Sequence, residues 1–246
     1  MAPRWFDEHD ISPGVIISLQ SRWRIVSQEE EEYVRQGSPS YACILLKVRQ
    51  VGSKPPVYGN MRIYKQIPTE NTIGARSEVR AKQAQAWIPF ELKAYRQLMF
   101  KNSTFTPKLL DSMEESQDAY SLVPGGFIVW VVFQEVSGIR LGDEVGEDTF
   151  WSMEPSVREQ IRTLFKENYM TLGRWGWIPL HLLGKDLVWD PESLTLFFVN
   201  WFMPTEIVSP EIWEDGIFYS SGLLKPPATP SFSFQRWNGS VKGWQG

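Results

Sequence analysis

Tyr41-Ala42-Cys43-Ile44-Leu45-Leu46-Lys47-Val48 and, a few residues on, Met61-Arg62-Ile63-Tyr64-Lys65-Gln66-Ile67 form the stretch on which the fold turns. The first segment is apolar and bounded by Gly37-Ser38-Pro39 and Gly52-Ser53, so it predicts a buried strand. The second alternates in side-chain character and predicts another. Lys54-Pro55-Pro56 with Gly59-Asn60 reads as the turn between them. This places Lys65 near the end of the second strand of an antiparallel sheet.

Toward the N-terminus, Pro13-Gly14 breaks the chain before the short apolar segments Val15-Ile16-Ile17 and Trp23-Arg24-Ile25-Val26. The acidic run Glu29 to Glu32 reads as a solvated loop or strand edge. Toward the C-terminus, helical character begins near Ser77, and Phe90, Leu92, Tyr95 and Leu98 recur near helical spacing after Pro89. Thr106-Pro107 closes that element. Pro124-Gly125-Gly126 turns into an apolar strand, Phe127 to Val136. Pro155 to Arg174 carries a helical stripe of Val157, Ile161, Leu164, Phe165 and Leu172, with Gly173 and Gly176 marking the exit. Leu187-Val188-Trp189 and Leu194 to Val199 flank Asp190-Pro191-Glu192-Ser193 as a hairpin. A short helix near 209–215 and a tail wrapped on the body complete the expectation.

Composition narrows the function classes. The 246 residues carry 25 basic and 29 acidic side chains, a formal charge of −4. That balance excludes the electrostatics of a dedicated nucleic-acid binder. Large rings are abundant, with 12 Trp, 14 Phe and 8 Tyr, which predicts a ring-rich core and leaves an aromatic pocket in play. The single cysteine, Cys43, rules out an intrachain disulfide and a Cys-based zinc cage. His9 and His181 leave little for a histidine metal site. Met1 to Glu8 lacks the apolar core of a secretory signal, and the run Phe127 to Phe133 is too short for a bilayer. The expected setting is therefore reducing and cytoplasmic. Serine-hydrolase elbow, Walker, zinc-protease and dinucleotide glycine motifs are absent from the sequence.

The order of strand, strand with lysine, helix with glutamate, apolar strand, long helix and hairpin resembles the protein-kinase fold, in particular small kinase-like proteins of fungi. The resemblance covers roughly residues 20–202 and rests on four places. Met61 to Lys65 looks like the strand of the phosphate-pairing lysine. Pro89-Phe90-Glu91-Leu92-Lys93-Ala94-Tyr95 looks like the helix whose glutamate holds it, which sets Lys65 and Glu91 at the ion-pair positions. Val131 to Val136 with Gly138-Ile139-Arg140-Leu141 looks like the strand and hinge between lobes. Gly176 to Asp190 looks like the catalytic loop, and Asn200-Trp201-Phe202 stands at the Asp-Phe-Gly position. The implied fold is a reduced two-lobed α+β kinase-like domain. An N-terminal lobe of sheet plus helix would span 1–136, and a shortened helical C-terminal lobe 137–246.

The departures from the pattern fall on the chemistry. On this alignment His181 stands where the catalytic aspartate belongs, Asp186 where asparagine holds magnesium, and neutral Asn200 where a carboxylate holds it. Residues 27–41 contain no glycine-rich phosphate cover. Phosphoryl transfer needs those carboxylates, so the resemblance implies a fold without kinase activity. Two function classes follow. In the first, the emptied cleft holds an apolar small molecule for a natural-product cyclisation or Diels–Alder-type closure, with no metal and no cofactor. Lys65, His181 or Asn200 would then donate to a substrate carbonyl, Asp186 would accept a proton or position the substrate, and Glu91, Phe133, Trp189 and Trp201 would line the site. In the second, the chain is a non-catalytic pseudokinase that regulates or scaffolds a protein partner. Each residue also has a structural role open to it: Lys65 with Glu91 as an ion pair, His181 as a buried hydrogen-bonded imidazole, Asp186 as a loop cap, Asn200 as a turn residue, and the Trp set as core.

Overall fold

The computed structural model describes residues 5–29, 33–180, 182–208, 213–226 and 243–246. The chain divides into two compact units, one of Met1–Lys93 with Lys108–Glu135 and one of Ala94–Pro107 with Val136–Gly246. Residues 94–107 thus group with the second unit.

The first unit opens with α1 (Glu8–Ile11), β1 (Ile16–Ser18), β2 (Arg22–Gln28) and β3 (Tyr33–Arg35). The two long strands β4 (Tyr41–Gln50) and β5 (Tyr58–Gln66) follow. After them come α2 (Ser77–Ala81), the start of α3 (Phe90–Phe100), β6 (Leu109–Ser116) and β7 (Phe127–Gln134). All pairings are antiparallel, in the order β1-β2-β4-β5-β7-β6, with β3 beside β4. Side chains alternate across a strand, so this sheet has two distinct faces. On one, Ile25, Ile44, Leu46, Met61, Ile63 and Val132 pack into a core that Trp5, Phe6 and Ile11 join from the N-terminal segment. Trp23 enters the same core, and its indole donates to Asp111 Oδ2 at 2.9 Å.

The other face carries Tyr41, Cys43, Arg62 and Tyr64. Tyr41 stacks on Trp87 with ring centroids 4.9 Å apart, and Trp87 lies 5.0 Å from Phe127. Cys43, the chain's single cysteine, is a buried thiol in this layer, packed as the apolar run around it predicts.

Two residues expected in the turn lie in a strand. Gly59 and Asn60 belong to β5, and the β4–β5 turn lies before them, with Gly52 in the left-handed region at φ 84°. Gly59 is a strand glycine because the neighbouring backbone leaves no room for a side chain. A Cβ there would lie 2.8 Å from the Phe133 carbonyl oxygen.

The second unit contains β8 (Ile139–Arg140), α4 (Asp148–Ser152), α5 (Pro155–Arg174) and β9 (Trp177–Ile178). It continues with β10 (Leu187–Asp190), β11 (Thr195–Phe198), β12 (Thr205–Glu206) and α6 (Gly216–Ser220). Pro155 begins α5, where its missing N–H costs nothing. The buried stripe is Ile161, Phe165, Tyr169 and Leu172, while Val157 and Leu164 lie at its margin, half-buried. Phe165 stacks on Phe198 of β11, with centroids 5.4 Å apart. Gly176, at φ 92°, turns the chain out of the helix. β10 and β11 form the expected hairpin, and β8 pairs with β10. Asp190 accepts from Ser193 Oγ and the Glu192 amide across the hairpin turn, and the serine hydroxyl chiefly holds its carboxyl below the usual range. Among the described residues the last helix is Gly216–Ser220; the helix expected near 209–215 falls largely on 209–212, which lie outside the described residues, as does most of the expected tail, 227–242. Among the described residues no helix is long and apolar enough to cross a membrane.

Candidate functional site

Glu91 sits in the first turn of α3, where the helix dipole favours a carboxylate, and it is 1% exposed. Its Oε2 accepts from the Tyr64 hydroxyl at 2.6 Å and lies 3.2 Å from Arg62 Nε. Both partners project from one face of β5. Lys65 is on the other face, because strand parity groups it with Met61 and Ile63. Its ammonium reaches the Trp5 carbonyl at 3.4 Å and lies 5.9 Å from the centre of the Phe6 ring. The ion pair expected between Lys65 and Glu91 is therefore made by Arg62. Around Lys65 the nearby carboxyl of Asp118 is held below its usual range, first by the Ser121 hydroxyl and only slightly by the lysine charge.

In the second unit the structure brings Asp186 and Asn200 together. Asp186 Oδ1 accepts from Asn200 Nδ2 at 3.0 Å, and Oδ2 accepts from the Leu183 amide at 3.0 Å. Asn200 Oδ1 accepts from the Phe202 amide at 3.1 Å, and the Val199 amide donates to the Asp186 carbonyl at 2.9 Å. A buried carboxylate, 4% exposed, is thus enclosed by amides and ties the loop before β10 to the segment after β11. Each Asp186 carboxylate oxygen and both ends of the Asn200 amide thus make a hydrogen bond within the loop. His181 lies outside the described residues.

The expected ring wall is core. Phe133 is buried on β7 and Trp189 on β10, where the Trp189 carbonyl closely abuts Gly138. Trp201 is 1% exposed; its indole donates to the Phe198 carbonyl at 2.9 Å and its ring lies 6.3 Å from that of Tyr95. Glu91 and Phe133 belong to the first unit, and Asp186, Trp189, Asn200 and Trp201 to the second. Arg62 and Tyr64 are the residues that sequence reading missed. The signal that finds them is the period of two along β5, applied with Glu91 as the fixed point. Among the described residues no group of three or more His, Cys, Asp or Glu side chains could hold a metal ion.

Sheet, glutamate helix, apolar strand, long helix and hairpin follow one another in the order that the resemblance implies. That order agrees with a reduced kinase-like arrangement. No protein-family model matches the sequence, and no curated protein matches it. Among solved structures the chain is similar to the Cydia pomonella granulovirus kinase PK-1, with a TM-score of 0.48 and 11% identity over 78% of this chain and 55% of that one. The chain therefore spans about half the length of that kinase.

Three outcomes follow from the geometry. Arg62→Met strips the charged partner from a buried carboxylate and is expected to cost about 3–5 kcal/mol. Lys65→Met, at a half-buried site whose ammonium reaches the Trp5 carbonyl at 3.4 Å, is expected to cost no more than about 1 kcal/mol. Denaturant titrations of the two variants check this, and equal losses would contradict the assignment of Arg62. Burial, and next the Glu91 charge, push the Tyr64 phenol well above the ordinary tyrosine range. The folded chain keeps that proton where the unfolded chain releases it. The associated stability is complete below the unfolded value and lost as pH rises toward the folded one. Alkaline melts of Tyr64→Phe are expected to fall less steeply than those of the parent. Asn200→Asp sets a second carboxylate against Asp186, which raises the pKa of one of the two. Melting temperatures should drop at neutral pH and recover as pH falls through the carboxylate range; a pH-independent change would contradict the pairing.

Proposed function

We propose that this chain is a kinase-like protein that has given up phosphotransfer and acts as a non-catalytic module binding another protein. The observation that carries the reading is the Asp186–Asn200 pair. Phosphoryl transfer depends on carboxylates presented to the cations that bridge the phosphates. Here the two positions aligned with the metal ligands hold one carboxylate and one amide, and they spend their polar atoms on each other and on loop amides. Glu91 is likewise engaged, with an arginine and a tyrosine as partners. The rings Phe133, Trp189 and Trp201 are 5%, 3% and 1% exposed, which leaves little aromatic surface for a ligand. Groups held this way support a scaffold more than a reaction vessel.

The second reading is a cofactor-independent cyclase that holds an apolar substrate for a pericyclic or Diels–Alder-type closure in natural-product biosynthesis. Lys65 favours it: a half-buried ammonium beside the Phe6 ring is a hydrogen-bond donor at the border of an apolar layer. One titration tests the loss of nucleotide chemistry common to both readings, and a second separates them. Magnesium with ATP at millimolar concentration is expected to leave the melting temperature unchanged, and polycyclic apolar ligands are expected to leave tryptophan fluorescence unquenched. Stabilisation by several degrees in the first would overturn the loss of nucleotide chemistry. Saturable quenching in the second, abolished by Lys65→Met, would favour the cyclase.

A further inference from the structure

The antiparallel register sets four exposed side chains in one row across the first unit. Ile16 of β1 lies opposite Arg24 of β2, Arg24 opposite Arg49 of β4, and Arg49 opposite Tyr58 of β5. All four are exposed, the two apolar ends at 40% for Ile16 and 42% for Tyr58. The row lies on the face opposite the core that Trp23, Ile25 and Val48 fill, so its side chains point away from that core.

The centre of the row is electrostatically unfavourable. Two guanidinium groups stand directly opposite each other on neighbouring strands, an arrangement that destabilises a sheet. Among the described residues neither Arg24 nor Arg49 has an ion-pair partner. The contrast is Lys47, two residues before Arg49 on the same face, which pairs with Glu135 at 2.7 Å. Among the described residues a carboxylate is thus supplied to the lysine and none to the arginine pair. Both strands are anchored from behind by fully buried neighbours, so the two guanidiniums project from a rigid support.

We propose that this row docks a short acidic segment of a partner protein, two adjacent carboxylates flanked by apolar side chains, which deepens the binding-module reading and rests on it. Guanidinium forks match carboxylates in a bidentate manner. The apolar ends of the row then meet the flanking side chains of the segment. Strands about 4.8 Å apart make a four-strand row roughly 14 Å long, the reach of an extended segment of about four residues. A nucleic acid fits poorly, since its backbone offers nothing apolar to Ile16 and Tyr58 and the chain is acidic as a whole, at −4.

The test is fluorescence anisotropy on the full chain with a labelled peptide of two adjacent glutamates flanked by phenylalanine and leucine. Controls are the same peptide with glutamines and a labelled oligothymidylate. Saturable binding of the glutamate peptide, weakened by salt and lowered about tenfold or more by the double change Arg24→Glu/Arg49→Glu, is the expected result. Arg49→Gln gives a second readout that a structural role would not move the same way. It relieves the repulsion, so the free protein should melt higher while peptide affinity falls. Failure of the glutamate peptide to bind, equal binding of the glutamine peptide, tighter binding of oligothymidylate, or indifference to the arginine changes overturns the docking surface. The binding-module reading fails on different data, nucleotide stabilisation or ligand quenching, so the two failures are distinguishable.

Discussion

A carboxylate out of reach of water must be given its counter-charge by the protein, and Glu91 is the point at which the first unit meets that demand. Helix position supplies part of it, Tyr64 contributes a hydroxyl, and Arg62 contributes the cation. Register then follows. A one-residue slip of β5 would present Ile63 and Lys65 to the carboxylate and turn Arg62 into the aliphatic core. The same parity that satisfies Glu91 therefore keeps Met61 and Ile63 inside, and polar pairing and apolar packing enforce one register. Arginine suits the task better than lysine because it stays charged on burial and its planar head is more weakly hydrated.

The second unit answers a comparable demand differently. Among the described residues the buried Asp186 carboxylate has no cation as a hydrogen-bond partner; it accepts from the Leu183 backbone amide and the Asn200 side chain, while the Val199 amide donates to the Asp186 backbone carbonyl. An amide suits position 200 because one end donates to Asp186 while the other accepts from Phe202. Aspartate there would accept only, and would add a like charge where a donor is needed. The departure from the kinase pattern at this position is thus a working part of the loop.

Legibility in the sequence followed the strength of the physical signal. The apolar run of β4, the alternation of β5, the stripe of α5 and the hairpin around Asp190 were all readable, since each expresses one dominant burial pattern. β6, with polar Ser112, Glu114 and Glu115 in its run, carries little apolar signal and was not foreseen. The shortest strands, such as β8, β9 and β12, are set by pairing partners far away in the chain. Gly59 looked like a turn residue because the need for a glycine there arises from the backbone of β7. Family likeness pairs Lys65 with Glu91, whereas which face of β5 meets the helix is a tertiary fact. Asp186 and Asn200 were both singled out; their direct hydrogen bond depends on how the hairpin returns the chain.

Cys43 gives the molecule a property separate from its function. As the chain's single thiol, buried within the central sheet, it is shielded from reagents in solution for as long as β4 keeps its neighbours. Its rate of modification is accordingly a clock for how often that sheet opens. A thiol reagent suffices and no engineered probe is needed, because Cys43 lies in the first unit and is the chain's single cysteine.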